Sequence, residues 1–400
     1  MEYRPADTKK TDPNPQTGTP RASAAATSSL PTKAADTRTL QERLEDSARN
    51  VFASLRLTKE DKLLIFVDDS KGEIADAFKT ALIGKEIARF NIVGLDEWRK
   101  GDPLLGELEK VPILGGMPDG LWNFLNAAVN DIGYTAAIVA SSFSTEEGEV
   151  AHDLRRMLLH SMEARVADLS NMTPDMMRAL LGGNPSDVEA LTGKVLAAVQ
   201  PASKLIIGSV NGTKLTLELP AKEYPWEAQV PFIAGSKTWV QLPRARVFMP
   251  LGASALGING TLVIDGTIGG VKTSKHGVLG KENAITVEIK SGRIRTISCK
   301  NPEIKKDFET DVERDIRSGK RIGLIAIGTN LHAQRLTGNM GIDMHAPCFQ
   351  IVFGNPSWGE TNAPWEPSES GVPVTILRPT VQAGFKTVLD AGVFASDLLK

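Results

Sequence analysis

The sequence predicts an α/β domain with a largely parallel sheet, followed by an α+β domain that is mainly antiparallel β. Three observations carry this reading. Before residue 200, continuous apolar runs of strand length alternate with segments whose apolar residues recur at helical spacing, the pattern of a parallel sheet covered on both faces. Near residue 200 the pattern changes at Asn211-Gly212, a dipeptide tolerant of positive φ that marks a tight hairpin between residues 204–210 and 213–219. Beyond it, short alternating or apolar runs bounded by glycine turns follow one another, with one helix among them.

The elements follow in chain order. Residues 1–38 are rich in Thr, Ala, Ser and Pro and nearly free of large apolar side chains, so they cannot offset the entropy of ordering and are expected to form a disordered tail. Within it, Glu2, Asp7, Asp12 and Asp36 argue against a transit peptide. Residues 40–57 set Leu40, Leu44, Ala48, Val51 and Leu55 at helical spacing, and residues 62–68 read as a buried strand. A helix over 73–89, a strand over 90–94 and a further buried strand over 136–141 come next. Glu146, Glu147 and Glu149 then open a helix reaching His160, where acidic residues complement the helix dipole. Helices over 174–181 and 187–199 complete a first domain at 39–203. In the second domain, 204–400, strands over 260–265, 284–290 and 292–297 precede a helix over 305–318.

Composition narrows the function classes. Four hundred residues, 41% hydrophobic and 24% charged, suit a globular chain of two or three domains. Lys and Arg total 46 against 48 Asp and Glu, a balance with no electrostatic footprint for nucleic acid. No apolar run reaches membrane-spanning length and no charged-then-apolar leader opens the chain, so no membrane partner is expected. Cys299 and Cys348 read as reduced thiols of a cytoplasmic protein, one intramolecular disulfide being the alternative.

The most informative stretch is 319–380. It contains Arg321-Ile-Gly-Leu-Ile-Ala-Ile-Gly-Thr-Asn330, then Leu336-Thr-Gly-Asn-Met-Gly-Ile-Asp343, then Gln350-Ile-Val-Phe-Gly-Asn355. Each piece alone is an ordinary strand and turn. Together and in this order they resemble the C-terminal domain of the aminopeptidase T (AmpS-type) metallopeptidases, a superfamily that also contains dihydroxypyridine ring-opening dioxygenases. The string Gly212-Thr-Lys-Leu-Thr216 adds to the resemblance, which spans roughly residues 40 to 385.

The resemblance implies a metal centre, and the residues here depart from it. A Gly-Glu pair follows a proline in the family; in Met249-Pro-Leu-Gly-Ala253 the ligand position is Ala253. The second Gly-Glu pair corresponds to Gly323-Leu324, and the ligand histidine to Gln350. A ligand tyrosine corresponds to the neighbourhood of Ser357, and a closing His-x-Asp to Val372-Pro373-Val374. A two-metal hydrolase needs carboxylates and imidazoles to hold its cations and generate hydroxide, and a non-haem iron oxygenase needs two histidines and a carboxylate. Ala, Leu and Val have no lone pair to offer, and an amide replaces imidazole poorly. No metal and no other cofactor is therefore expected.

Other side chains offer new chemistry, each beside a plainer reading. In an extended strand Asp343 and His345 would share a face, with His332 as a third ligand; otherwise Asp343 braces a turn and His345 is a half-exposed strand residue. Cys348 is either a nucleophile assisted by His345 or His332 or a small buried hydrophobe. Trp358, Glu360 and Trp365 lie in a Pro/Gly-rich loop suited to ligand contact, or fold back onto the domain. His276, in the glycine-rich segment 267–280, reads as structural or solvated. Arg244 and Arg246 can grip a carboxylate or pair with local acids, and Arg378 can replace cation charge in the cleft.

The expectation is a metal-free relative of these aminopeptidases, a homodimer as the resemblance implies, whose cleft binds a peptide or amino-acid-like ligand without hydrolysis. Two alternatives stand beside it. One is a repurposed biosynthetic enzyme acting on a peptide or aromatic small molecule, with a relocated metal as one variant. The other is a structural or dimerisation partner.

Overall fold

The computed structural model describes residues 37–68, 72–94, 132–141, 154–170, 172–219, 225–251, 256–333, 335–355, 368 and 370–400. The expected tail up to residue 36, the acidic turn at Glu146, Glu147 and Glu149, and the aromatic loop after residue 355 lie outside these residues.

Helix α1 (Leu40–Ser54) starts at a capping box in which the Thr39 hydroxyl accepts from Glu42 N while the Glu42 carboxylate accepts from Thr39 N. Strand β1 (Lys62–Val67) follows, apolar on both sides and buried from its second residue onward. Helix α2 (Gly72–Leu82) is shorter than the expected 73–89, because the chain turns at Gly84 with φ +76°. Strands β2 (Arg89–Gly94), β3 (Ala136–Ala140) and β4 (Arg165–Asp168) come next, with a π-helical turn at Met157–Ser161 before β4. Helices α3 (Pro174–Leu180) and α4 (Pro185–Val199) both open with a side-chain cap and proline in the first turn.

Strands β5 (Lys204–Gly208) and β6 (Lys214–Glu218) form the hairpin that Asn211-Gly212 marks. After β7 (Glu227–Gln229), strand β8 (Thr238–Gln241) returns to pair in parallel with β4. The first sheet thus has the order β2-β1-β3-β4-β8, all parallel. Its two faces bury different cores: Leu63, Ile65 and Val67 face α1, α2 and α3, whereas Leu64 and Phe66 face Leu154, Met157 and Leu158. Asp61, just before β1, accepts from Thr135 and Arg165 and so ties the near ends of β1, β3 and β4. Those bonds outweigh burial and hold its carboxyl below the usual range.

The remaining strands are β9 (Arg246–Pro250), β10 (Ile258–Ile264), β11 (Ile285–Lys290) and β12 (Arg293–Cys299). Helix α5 (Pro302–Glu313) then precedes β13 (Ile322–Gly328), helix α6 (Met340–Asp343), β14 (Phe349–Gly354) and β15 (Gly371–Ile376). Strands β16 (Thr380–Ala383), β17 (Lys386–Asp390), β18 (Val393–Phe394) and helix α7 (Ser396–Leu399) close the chain. They build an antiparallel second sheet, β12-β11-β10-β6-β5-β16-β17-β18, and an antiparallel third sheet, β15-β14-β13-β9-β7. One large apolar core joins the inner faces, with Leu205, Leu217 and Val287 from one sheet and Met249, Ile325 and Ile351 from the other. Both α4 and α5 pack on this core, and the fold class expected from the sequence is the one observed.

The position 203/204 is crossed in both directions: α4 joins the later core, and β8 completes the earlier sheet. Among the described residues, no helix is long and apolar enough to cross a membrane.

Candidate functional site

The site is the outer face of the third sheet and the turn lying over it. Register assigns that face. Leu324 pairs with Val352 and with Pro250; Ala326 pairs with Gln350 and with Phe248; Gln350 in turn pairs with Thr375. Phe248, Leu324, Ala326 and Val352 form a small apolar cluster of their own, apart from the main core. Leu324 and Gln350, two of the positions the resemblance marks as ligands, therefore share this face, and both are fully buried.

The Gly-Thr-Asn and Thr-Gly-Asn pieces form the frame that holds the turn. In the Gly-Thr-Asn piece, a Cβ on Gly328 would collide with the Ala346 carbonyl, so only glycine admits the turn this close. Thr329 shares a 2.6 Å hydrogen bond with Thr192 of α4, and Asn330 Nδ2 donates to Leu180 O at 2.8 Å, fastening the third sheet to α3 and α4. In the Thr-Gly-Asn piece, Gly338 has φ +86° and Asn339 caps α6 by accepting from Gly341 N at 3.0 Å. These residue types are explained by backbone chemistry alone.

Asp343 completes that frame. Its carboxylate accepts from the Thr267 hydroxyl, from Thr337 N at 2.8 Å and Oγ1 at 2.9 Å, and from Gly338 N at 2.8 Å. Burial is the larger influence and raises its pKa despite these bonds. The extended-strand pairing of Asp343 with His345 does not hold, because capping by Asn339 makes residues 340–343 helical. His345 is buried rather than half-exposed, and burial pushes its pKa down to about 3, with Arg246 and then Arg244 adding repulsion against the Ala245 carbonyl's pull. His332 lies instead against Gly183. Cys348 is buried, bonded through Sγ to Asp343 O at 3.4 Å, and burial pushes its thiol up to about 12. A thiol so placed is a small hydrophobe, not an activated nucleophile.

Arg246 reaches Gln229 Oε1 through Nε and Met344 Sδ through a terminal nitrogen, and its guanidinium stands 5.4 Å over the Phe248 ring. The Gln350 amide nitrogen donates to Met344 O. Two polar atoms here, His345 Nδ1 and Gln350 Oε1, are buried with no hydrogen-bond partner among the described residues. Val372 and Val374 are placed elsewhere than expected: they pair with Phe353 and Ile351 and point into the main core, away from Leu324 and Gln350. Arg378 is exposed at a positive-φ turn that packs on Gly392, so it adds no charge to this face. Ala253, Ser357, Trp358, Glu360 and Trp365 lie outside the described residues.

The described donors do not fit the metal centre that the resemblance implies. Leu324, Val372 and Val374 carry no ligating atom, Gln350 has one amide oxygen to offer, and Asp343 is spent on four donors. A different set was missed by the sequence reasoning. His276 Nε2, Glu303 and Asp307 bring ligand atoms within 4.8 Å of one another, but Lys275 Nζ already sits 2.9 Å from Glu303 and 3.0 Å from Asp307. The ammonium supplies the positive charge there. The legible signal was Glu303 and Asp307 four apart on α5, one face of a helix.

No protein-family model and no curated protein matches the chain. Among solved structures it is similar to the 2,5-dihydroxypyridine dioxygenase of Pseudomonas putida, at 14% identity and a TM-score of 0.59, covering 91% of this chain and 100% of that one. It is also similar to AmpT of Thermus thermophilus, at 13% identity and a TM-score of 0.54, covering 89% of this chain and 100% of that one. At such identities the likeness concerns the backbone, and the chain shares its fold with these two proteins.

Proposed function

We propose that this chain is a metal-free relative of the aminopeptidase T fold that binds a peptide or amino-acid-like ligand without hydrolysing it. One observation carries the reading: the layer over the third sheet sets an apolar wall beside unpaired polar atoms, His345 Nδ1 and Gln350 Oε1. Buried polar atoms ordinarily find partners, and a bound amide or carboxylate would provide them. Arg244 and Arg246 lie near enough to act electrostatically on His345, and guanidinium forks suit a ligand carboxylate.

The enzyme reading is less well supported, since Asp343 is committed to the frame, Cys348 is a buried thiol and His332 stands apart. Free Cys299 and Cys348 suit a reducing compartment, so we place the protein in the cytoplasm. The homodimer expected from the resemblance is tested by mass in solution.

Elemental analysis of the purified protein, calorimetry with a panel of dipeptides, and assay of leucine release from chromogenic amides test the function together. The expected result is binding with no stoichiometric zinc, cobalt or manganese and no leucine release. Stoichiometric metal with turnover would overturn it.

A further inference from the structure

The parallel sheet holds a second feature, independent of the third sheet. Its order, β2-β1-β3-β4-β8, reverses direction between β1 and β3. The connection leaving β1 runs through α2 on one face, while residues 154–158, ahead of β4, pack on the other. Where neighbouring strands send their connections to opposite faces, a crevice opens beyond their carboxyl ends, and open α/β sheets bind ligands there.

The residues at that edge are polar and share a face. Val67 pairs with Ala140, so Asp68 and Ser141 stand side by side one step further on, on strands about 4.8 Å apart. Alternation after Leu64 and Phe66 on β1, and after Ala137 and Val139 on β3, turns both side chains to the same face. Asp168, at the end of β4, follows Val166 onto that face as well. Asp68 is 4% exposed and Ser141 is fully buried. The Ser141 hydroxyl has no hydrogen-bond partner among the described residues, which a buried hydroxyl rarely tolerates.

The donor set selects the ligand chemistry. A carboxylate and a hydroxyl are hard oxygen donors, with no thiol or imidazole between them to favour a softer metal. An anion would meet Asp68 and Asp168 and be repelled. Asp168 pairs with Val139, two residues short of Ser141, and already accepts from Trp239 Nε1 at 2.9 Å and Ser170 N at 2.8 Å. That offset suits a hydrogen bond from a metal-bound water better than direct ligation. Mg2+ keeps most of its water shell and takes one or two protein carboxylates, which matches this arrangement. We propose that Asp68 and Ser141 hold an exchangeable hard divalent cation of the Mg2+ class at the switch point of the parallel sheet, with Asp168 accepting from its water shell.

Titration of the full-length protein with Mn2+, followed by electron paramagnetic resonance, tests this. One equivalent should bind and be displaced by Mg2+. D68N should abolish binding, and D168N should weaken it about tenfold, as loss of an outer-sphere partner does. D307N, at a half-buried member of the group formed by His276, Glu303 and Asp307, should leave it unchanged. Bound Mn2+ should also broaden the Val67 and Ala140 amide resonances of the unmutated protein, a readout that does not depend on a variant folding. Absence of binding at millimolar Mn2+, binding that survives D68N, or broadening confined to residues near His276 would overturn the proposal. Tight metal found on purification would bear on the third-sheet reading and not on this exchangeable site.

Discussion

His345 should make the protein acid-sensitive in a defined window. Its ring is buried and held neutral in the folded chain, with its pKa pushed down to about 3 chiefly by burial and next by Arg246. In the unfolded chain the ring takes up a proton near pH 6.5. Between these values the unfolded state binds the extra proton, so stability is full above pH 6.5 and falls as pH drops toward 3. At about 1.36 kcal/mol per pH unit, the loss is about 2 kcal/mol at pH 5 and approaches 5 kcal/mol near pH 3. The perturbation is H345Q, which removes the titration while keeping an amide able to reach the Ala245 carbonyl. Urea unfolding of both proteins from pH 7 to pH 5 isolates the effect, because all other titrating groups are common to the pair. The variant should be the less stable at pH 7, and the gap should narrow by about 2 kcal/mol at pH 5. A gap that stays constant within about 0.5 kcal/mol would show that His345 titrates as an exposed ring does, and the packing argument for the turn would fail.

Three further outcomes follow from the same layer. D343A strips four donors of their common acceptor and should cost about 3–5 kcal/mol, with lost exchange protection at the Thr337 and Gly338 amides; a cost below about 1 kcal/mol would sink the bracing role. In the native protein at pH 8, a thiol-exchange reagent should label Cys299 and spare Cys348, and prompt reaction of both would refute the burial of Cys348. L324E puts a carboxylate into an apolar cluster and should destabilise by several kcal/mol with or without Zn2+; rescue by the metal would mean that a latent metal site persists.

Much of the architecture was legible because single residues had one structural explanation. Lys62–Val67 reads as a strand covered on both faces because its apolar run has no polar side, and Asn211-Gly212 reads as a hairpin because few other pairs tolerate that turn. Helix α5 spans Pro302–Glu313 rather than the expected 305–318, although Asn301-Pro302 carries both a cap and a first-turn proline. Of the two readings of Asp343, turn-bracing matches its hydrogen bonds to Thr337 and Gly338, whereas strand pairing with His345 fails because the cap at Asn339 makes residues 340–343 helical. The return of β8 to the first sheet could not be read at all: its partner, β4, lies some seventy residues earlier, and neither strand names the other. At the site, residue types were legible and their facing was not.

A one-residue slip turns every strand side chain to the opposite face, so the register of β15 decides which of its residues reach this layer. Val372 and Val374 point into the main core, so the positions of β15 that share a face with Leu324 and Gln350 are Pro373 and Thr375. Moving the correspondence by one residue to meet that face does not restore a ligand set. Proline offers no side-chain donor. The Thr375 hydroxyl is committed within the backbone frame, accepting from Thr267 N at 2.7 Å and lying 3.2 Å from Thr267 O. Whichever register is chosen, β15 contributes no imidazole and no carboxylate to this face, and Gln350 and Leu324 are fixed there by their own pairing. The proposal of a metal-free layer therefore does not depend on the correspondence along β15. It depends on Leu324 and Gln350, and L324E and Q350H together are the pair of substitutions by which a latent centre would show itself.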